Sequence, residues 1–210
     1  MARTALLALA VALAWLAPAV AQAPARVVSM NLCTDQLAML IAAPGQLVSV
    51  SHVARDPVSS ALAAEAAAYP VNHATAEEIF LLAPDLVLAG AYDRPATLAA
   101  LARLGLAVET FPIEASFQDV RGSVTRMGAL LGQPDRAAAL IAAMDAELAD
   151  PPAGSRPRVA LFYANAYSSG AGTLAHAILE AAGLANIAAE RGVTGLARLP
   201  LETLVLEAPE

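Results

Sequence analysis

Residues 76–90, AEEIFLLAPDLVLAG, decide the fold class, because a short helix leads directly into a fully apolar strand. Thr75 and Glu78 match a capping box, in which each side chain accepts a hydrogen bond from a free amide at the helix start. The helix is predicted to end before Pro84, since the residue preceding a proline resists the helical conformation. The strand Leu86-Val87-Leu88 has no polar face, and strands buried on both faces are typical of parallel sheets.

Strands and helices alternate on both sides of this stretch. Upstream, we predict strands at 26–29 and 46–50 and helices at 34–41 and 58–67, with Thr34 or Asp35 as the first N-cap. Downstream, a helix at 95–104 ends at Gly105, and a strand follows at 106–110. This alternation predicts an α/β lobe with a parallel sheet over residues 22–115.

The pattern changes at residue 116, where two helices follow each other without a strand between them. We predict a helical linker over 116–150, with Pro134 in the first turn of its second helix. The α/β pattern then starts again, with a strand at 158–163, a polar loop at 165–172, a helix at 173–182 and a short strand near Asn186. We therefore assign a second α/β lobe to residues 151–210.

The second lobe repeats features of the first. Residues 77–85, EEIFLLAPD, align with 202–210, ETLVLEAPE, through the acidic start, three apolar positions, Ala-Pro and a final carboxylate. Arg26-Val27-Val28 likewise aligns with Arg158-Val159-Ala160. A single repeat of this length predicts two similar lobes. Because the second copy stops where the first enters a buried strand, we expect the second lobe to be truncated.

The N-terminus predicts export. Arg3, an apolar run over 5–16 and Ala19-Val20-Ala21 have the three-part build of a secretory signal, so residues 1–21 are predicted to be removed. We therefore expect a soluble periplasmic protein. The net charge of −7 and the lack of a basic stripe in the sequence argue against nucleic acid as a partner.

Several segments, in chain order, resemble the periplasmic substrate-binding proteins for ferric siderophores, haem and cobalamin, whose lobes are joined by one long helix. They are RVVSMNL at 26–32, residues 76–90, LGL at 104–106, QPD at 133–135, YSSG at 167–170 and LPLE at 199–202. The resemblance implies that a metal chelate is clamped between the lobes and delivered to an ABC permease in the inner membrane. We expect a monomer without a cofactor. The resemblance also implies an acidic permease contact near Pro95, where Asp93 is the nearest carboxylate.

Ligands of open α/β folds lie beside the loops that follow the carboxyl ends of strands. This rule nominates, as ligand-binding residues, Met30, Asn31, His52, Arg55, Tyr92, Asn165, Tyr167 and Ser168. Tyr92 and Tyr167 stand out, because the flat face of a chelate favours amphipathic aromatic contacts. Each tyrosine could instead simply close the edge of its lobe.

The histidines and the single cysteine match no metal-binding pattern. His52, His73 and His176, with Cys33, show no zinc-ligand spacing, so we expect exposed histidines, a small buried Cys33 and no metal site. The leading hypothesis is therefore a binding protein and not an enzyme. Two alternatives stay open: a periplasmic enzyme that uses Cys33 or a histidine, and a degenerate fragment that binds poorly.

Overall fold

A five-stranded sheet forms the centre of the first lobe. The computed structural model describes residues 22–148 and 154–207, so the predicted signal sequence lies outside the described residues. All neighbouring strands are parallel and lie in the order β3-β2-β1-β4-β5. The strands are β1 (Val27–Ser29), β2 (Leu47–Ser51), β3 (Val71–Asn72), β4 (Leu86–Gly90) and β5 (Val108–Phe111). The predicted α/β class with a parallel central sheet is confirmed.

Helices cover both faces of this sheet. They are α1 (Leu32–Ile41), α2 (Ala63–Ala66), α3 (Ala76–Leu81), α4 (Pro95–Arg103), α5 (Phe117–Leu131) and α6 (Pro134–Leu148). Along β4, Leu86 and Leu88 belong to an apolar cluster with α1, α5 and α6, whereas Val87 belongs to a second cluster with α3 and α4. The strand predicted to lack a wet face is therefore buried on both sides.

Three local predictions in the first lobe are wrong, each because a side chain bonds to nearby backbone. Helix α1 is capped by Asn31, whose Oδ1 accepts from the Cys33 amide at 3.0 Å, and not by Thr34 or Asp35. The predicted helix at 58–67 shortens to α2, because Asp56 accepts from the Val58 amide and the Ser59 hydroxyl and holds turns there. Thr75 caps α3 as predicted, but the Glu78 carboxylate accepts from the backbone amide of His73 and not from that of the cap.

The linker helices α5 and α6 lie against the first lobe. Helix α5 begins beside residue 116 and Pro134 begins α6, as predicted, and Ser116 is the N-cap of α5. Leu140 and Ile141 on α6 pack against the cluster that contains α1 and β4. Arg121 Nε also donates to Asp145 Oδ1 at 2.8 Å, which joins the two linker helices.

The second lobe contains two separate strand pairs. Strands β6 (Arg158–Val159) and β8 (Ala185–Asn186) are parallel, and β7 (Tyr167–Ser169) and β9 (Leu196–Arg198) are antiparallel. Strand β7 lies where we predicted a polar loop, because its serines are buried although their side chains are polar. The helices are α7 (Leu174–Ala181), α8 (Ile187–Glu190) and α9 (Leu201–Glu207). Within the two described ranges, no helix is both long and apolar enough to cross a membrane.

Candidate functional site

A cavity of about 280 Å³ opens at the carboxyl edge of the first-lobe sheet. It lies between β1 and β4. In chain order, β2 and β3 add to one side of β1, whereas β4 and β5 add to the other side, so the strand order reverses at this point. Ligands of open α/β sheets bind at such switch points. The lining residues are Asn31, Cys33, Thr34, Gly90, Ala91, Tyr92, Phe111, Pro112, Ile113 and Glu114.

Asn31 and Asp93 fix the shape of this cavity. While Asn31 Oδ1 caps α1, its Nδ2 donates to Asp93 Oδ1 at 3.2 Å. The other carboxylate oxygen of Asp93 accepts from the Gly90 amide at 2.7 Å. A Cβ at Gly90 would lie 2.4 Å from Asn31 Nδ2, so a larger residue there would displace the Asn31 side chain. The predicted permease contact, Asp93, is therefore also a hydrogen-bonded part of the cavity's frame.

Tyr92 and Cys33 are the solvent-exposed aromatic and sulfur groups of the cavity. Tyr92 is 86% exposed, which leaves its ring available at the mouth. Cys33 is exposed, so the prediction of a small buried cysteine is wrong: because α1 begins just after Asn31, Cys33 lies in the first turn at the cavity wall. Phe111 to Glu114 were not nominated, although they follow the predicted strand at 106–110 and the same rule applies to them; they reach the cavity through the pairing of β5 with β4.

The cavity is electrostatically negative. Partial burial raises the pKa of the Cys33 thiol, and the charges of Glu114, Asp35 and Asp93 raise it further. None of the described lining residues is cationic. A thiol nucleophile needs the opposite environment, in which a base or positive charge lowers its pKa. The cavity thus favours a neutral or cationic ligand and leaves Cys33 a protonated thiol.

A buried polar network supports the same edge of the sheet. Asp35 accepts from the Ser51 amide at 3.1 Å and the Ser51 hydroxyl at 2.5 Å, and burial raises the pKa of this carboxyl despite these bonds. Asn72 Nδ2 donates to Ser29 O at 2.8 Å and Val50 O at 3.0 Å. These contacts tie the ends of β1, β2 and β3 together and so hold the loops above them.

Three predicted ligand residues on this lobe lie away from the cavity. Met30 is buried in the core, 3% exposed. The Arg55 guanidinium donates to the carbonyls of Ala66, Ala67 and Tyr69 and closes the end of α2. His52 does not line the cavity; its ring lies beside that of His73, with 5.0 Å between the ring centroids.

The second lobe brings its predicted residues together around β7. Tyr167 lies opposite Arg198 on β9, and the guanidinium carbon is 5.8 Å from the centre of the ring. Ser168 is fully buried, and its hydroxyl has no hydrogen-bond partner among the described residues. Asn165 and Ala166 are consecutive left-handed residues, with φ of 59° and 60°. Backbone strain of this kind persists where surrounding contacts enforce it and is frequent at functional sites.

Comparison with known proteins assigns the family. The family model described as periplasmic binding protein matches residues 27–210. A cobalamin-binding protein of Halobacterium salinarum is 32% identical over 195 residues, which are 89% of this chain and 53% of that protein. The chain therefore spans about half the length of this curated relative.

Solved structures share the fold. A possible iron-binding protein of Staphylococcus epidermidis matches with a TM-score of 0.74 and 18% identity, over 90% of this chain and 76% of the other. A periplasmic heme-binding protein of Roseiflexus matches with a TM-score of 0.69 and 23% identity, over 88% and 73%. On the sequence match over nearly all of the described residues, the chain belongs to the periplasmic binding protein family.

Proposed function

We propose that this chain is the periplasmic substrate-binding component of an ABC importer and that it captures a metal chelate between its two lobes. The observation that carries the proposal is the cavity at the switch point between β1 and β4, where folds of this class bind ligands. The exposed rings of Tyr92 on the first lobe and Tyr167 on the second provide amphipathic surfaces for a flat ligand.

Charge favours a corrinoid over a ferric siderophore of high negative charge. Glu114 lies in the cavity wall, Asp93 lies beside it, and no cation lines it among the described residues. A ligand with several negative charges would be repelled at this wall, whereas an amide-bearing corrinoid presents neutral groups. The curated relative is also a cobalamin-binding protein. Haem is the second candidate. Because haem carries acidic groups, it could bind only with those groups facing Arg198 on the second lobe.

Titration with cyanocobalamin, haemin and a ferric tricatecholate tests the ligand class. We expect the Tyr92→Ala/Tyr167→Ala variant to bind more weakly, by about 1 kcal/mol for each aromatic contact, or roughly tenfold to a hundredfold in all. Phe80→Ala is the matched control, since Phe80 is an exposed aromatic residue on α3 away from the cavity. Equal affinity of the double variant and the wild type for every ligand would contradict the proposed site.

Alkylation of Cys33 provides a second test of where the ligand binds. A ligand in the cavity should shield the thiol, so alkylation of Cys33 by iodoacetamide should slow when the bound chelate is present. Because the pKa of this thiol is raised, the reaction should be slower than for a free cysteine at the same pH and should accelerate as the pH rises. Unchanged alkylation at saturating ligand would place the ligand elsewhere.

Export and delivery complete the proposal. Removal of residues 1–21 should leave Gln22 as the N-terminus of periplasmic material, which mass spectrometry can identify.

Asp93 stays our candidate for the permease contact on the first lobe. Asp93→Asn keeps a side-chain oxygen for the Gly90 amide but removes the charge, so uptake should fall more than ligand affinity. Uptake and affinity that fall equally would assign Asp93 to the cavity alone.

A further inference from the structure

Two histidines that are 21 residues apart in the sequence meet at the carboxyl edge of the first-lobe sheet. His52 follows β2 and His73 follows β3, and these strands are parallel neighbours. The two imidazole rings lie 5.0 Å apart between centroids, with 27° between their planes. Both residues are exposed, and neither lines the cavity between β1 and β4.

Glu78 orients the second imidazole of this pair. Its Oε2 accepts from the His73 backbone amide at 2.7 Å, and its Oε1 lies 3.0 Å from His73 Nδ1. The oxygens of an ionised glutamate can only accept hydrogen bonds. In the neutral imidazole, Nδ1 therefore carries the ring proton, and Nε2 of His73 keeps a free lone pair.

This arrangement matches the outer-sphere contact that metal-binding histidines commonly make. Histidines that ligate metals commonly donate their other ring N–H to a carboxylate, which fixes the ring and makes the ligating nitrogen more basic. Glu78 occupies the helix position at which a capping-box glutamate would bond to the helix cap, yet its carboxylate bonds to His73. Packing of α3 does not require that contact, because Thr75 already caps the helix.

We propose that His52 and His73 form a two-nitrogen binding site for an imidazole-preferring divalent transition-metal ion such as Cu²⁺, Ni²⁺ or Zn²⁺, with Glu78 as the outer-sphere carboxylate. Metal–nitrogen bonds of about 2.0–2.1 Å to two adjacent imidazoles place the ring centroids about 4.5–5.2 Å apart, for angles between square and tetrahedral. The observed separation of 5.0 Å falls within this interval. Because the rings are stacked, with 27° between their planes, the two exposed side chains would rotate about χ2 to bring one nitrogen of each to the same ion.

Water would complete the coordination shell. Across the two described ranges, no group of three or more His, Cys, Asp or Glu side chains is placed to hold a metal ion. The bound ion would bridge the ends of β2 and β3. The site is independent of the chelate-binding function proposed above, because it uses other residues and would bind the free ion.

The test is a titration of the untagged chain with Ni²⁺ by calorimetry, together with electron paramagnetic resonance of the Cu²⁺ complex. We expect one ion per chain and hyperfine coupling to two imidazole nitrogens. His52→Gln and His73→Gln should each weaken binding about a hundredfold, because the second imidazole binds intramolecularly once the first is engaged. Glu78→Gln should weaken binding roughly tenfold to a hundredfold, as expected for an outer-sphere carboxylate.

His176→Gln is the matched control. His176 is the remaining histidine, and it lies in the second lobe, 3.4 Å from both Asn186 Nδ2 and Glu180 Oε2. This variant should bind Ni²⁺ like the wild type, and circular dichroism should show that every variant is folded. The proposal is overturned if the wild type does not bind, if either His52→Gln or His73→Gln binds as the wild type does, or if His176→Gln loses the ion. Wild-type affinity in Glu78→Gln would overturn the role given to that carboxylate.

Discussion

The two lobes differ more in what they bury than in how they are hydrogen-bonded. In the first, the sheet and its helices form two buried apolar clusters, one on each face. None of the described residues of the second lobe belongs to either cluster. The buried apolar side chains of that lobe are few among the residues described, namely Ile187, Ala188 and Leu199, while Leu196, Val205 and Leu206 are more than 60% exposed.

The same polar contacts nevertheless occur in both lobes. Arg26 donates to the carbonyl of Leu82 at the end of α3, and Arg158 donates to that of Glu207 at the end of α9. These pairs occupy aligned positions of the sequence repeat, so the repeat is structural. Asn72 in the first lobe likewise bonds to Ser29 O and the Ala74 amide. In the second lobe, Asn186 bonds to Ser169 O and the Ala188 amide.

This comparison separates two contributions to the fold. Side-chain contacts to the backbone specify where each helix and strand end lies, and they are present in both lobes. Burial of apolar surface supplies most of the stability, and in the described residues it is concentrated in the first lobe. We therefore expect the lobes to respond differently to the same kind of substitution.

The largest contrast should come from two matched leucine truncations. Leu88→Ala removes a fully buried side chain from β4 and should lower the free energy of unfolding by about 2–5 kcal/mol. Leu206→Ala changes a side chain that is 84% exposed on α9, and its effect should stay within about 0.5 kcal/mol. Urea unfolding followed by circular dichroism measures both. Equal losses would mean that Leu206 is buried in solution and that the lobes do not differ as described.

A smaller difference between the lobes is expected when the aligned arginines, Arg26 and Arg158, are replaced. Arg158 forms ion pairs with Glu190 and Glu207, whereas Arg26 caps a helix that already packs on a buried sheet. Arg158→Ala should speed amide hydrogen exchange throughout residues 158–207, since little apolar burial holds that region. Arg26→Ala should speed exchange only near residues 82–86. Broad exchange in the Arg26 variant would show that polar contacts stabilise the first lobe as much as burial does.

The sequence predicts the parts of the fold that depend on local pattern. Buried strand β4, the Ser116 and Pro134 helix starts and the Arg26–Arg158 repeat all follow from apolar runs, caps and internal similarity. The cavity wall from Phe111 to Glu114 and the His52–His73 pair do not, because strand order and register bring those residues together. Strand β3 was missed for a related reason: it is two residues long and is fixed by the long-range bonds of Asn72.

The smallest predicted difference between the lobes is in how the stability contribution of one carboxyl group in each lobe changes with pH. Burial raises the pKa of the Asp35 carboxyl in the first lobe, whereas hydrogen bonds from Arg158 lower that of Glu207 in the second. A folded state with a raised carboxyl pKa holds its proton more tightly than the unfolded chain does. The Asp35 contribution therefore falls as the pH rises from about 3.9 through the folded pKa. Glu207 contributes stability above its unfolded pKa, and this is lost as the pH falls through its lower folded pKa.

Replacing each carboxylate by the corresponding uncharged amide isolates its contribution to the pH dependence of the free energy of unfolding. Asp35→Asn keeps an oxygen for the Ser51 amide, so its free energy of unfolding relative to the wild type should rise as the pH increases from 4 toward 7. Glu207→Gln keeps a side-chain oxygen for Arg158, and its deficit relative to the wild type should be largest at neutral pH and shrink in acid. The two differences, plotted as variant minus wild type from urea midpoints, should slope in opposite directions with pH. Parallel slopes would mean that Asp35 is solvated in solution, because burial is the largest effect that raises its pKa against the hydrogen bonds from Ser51.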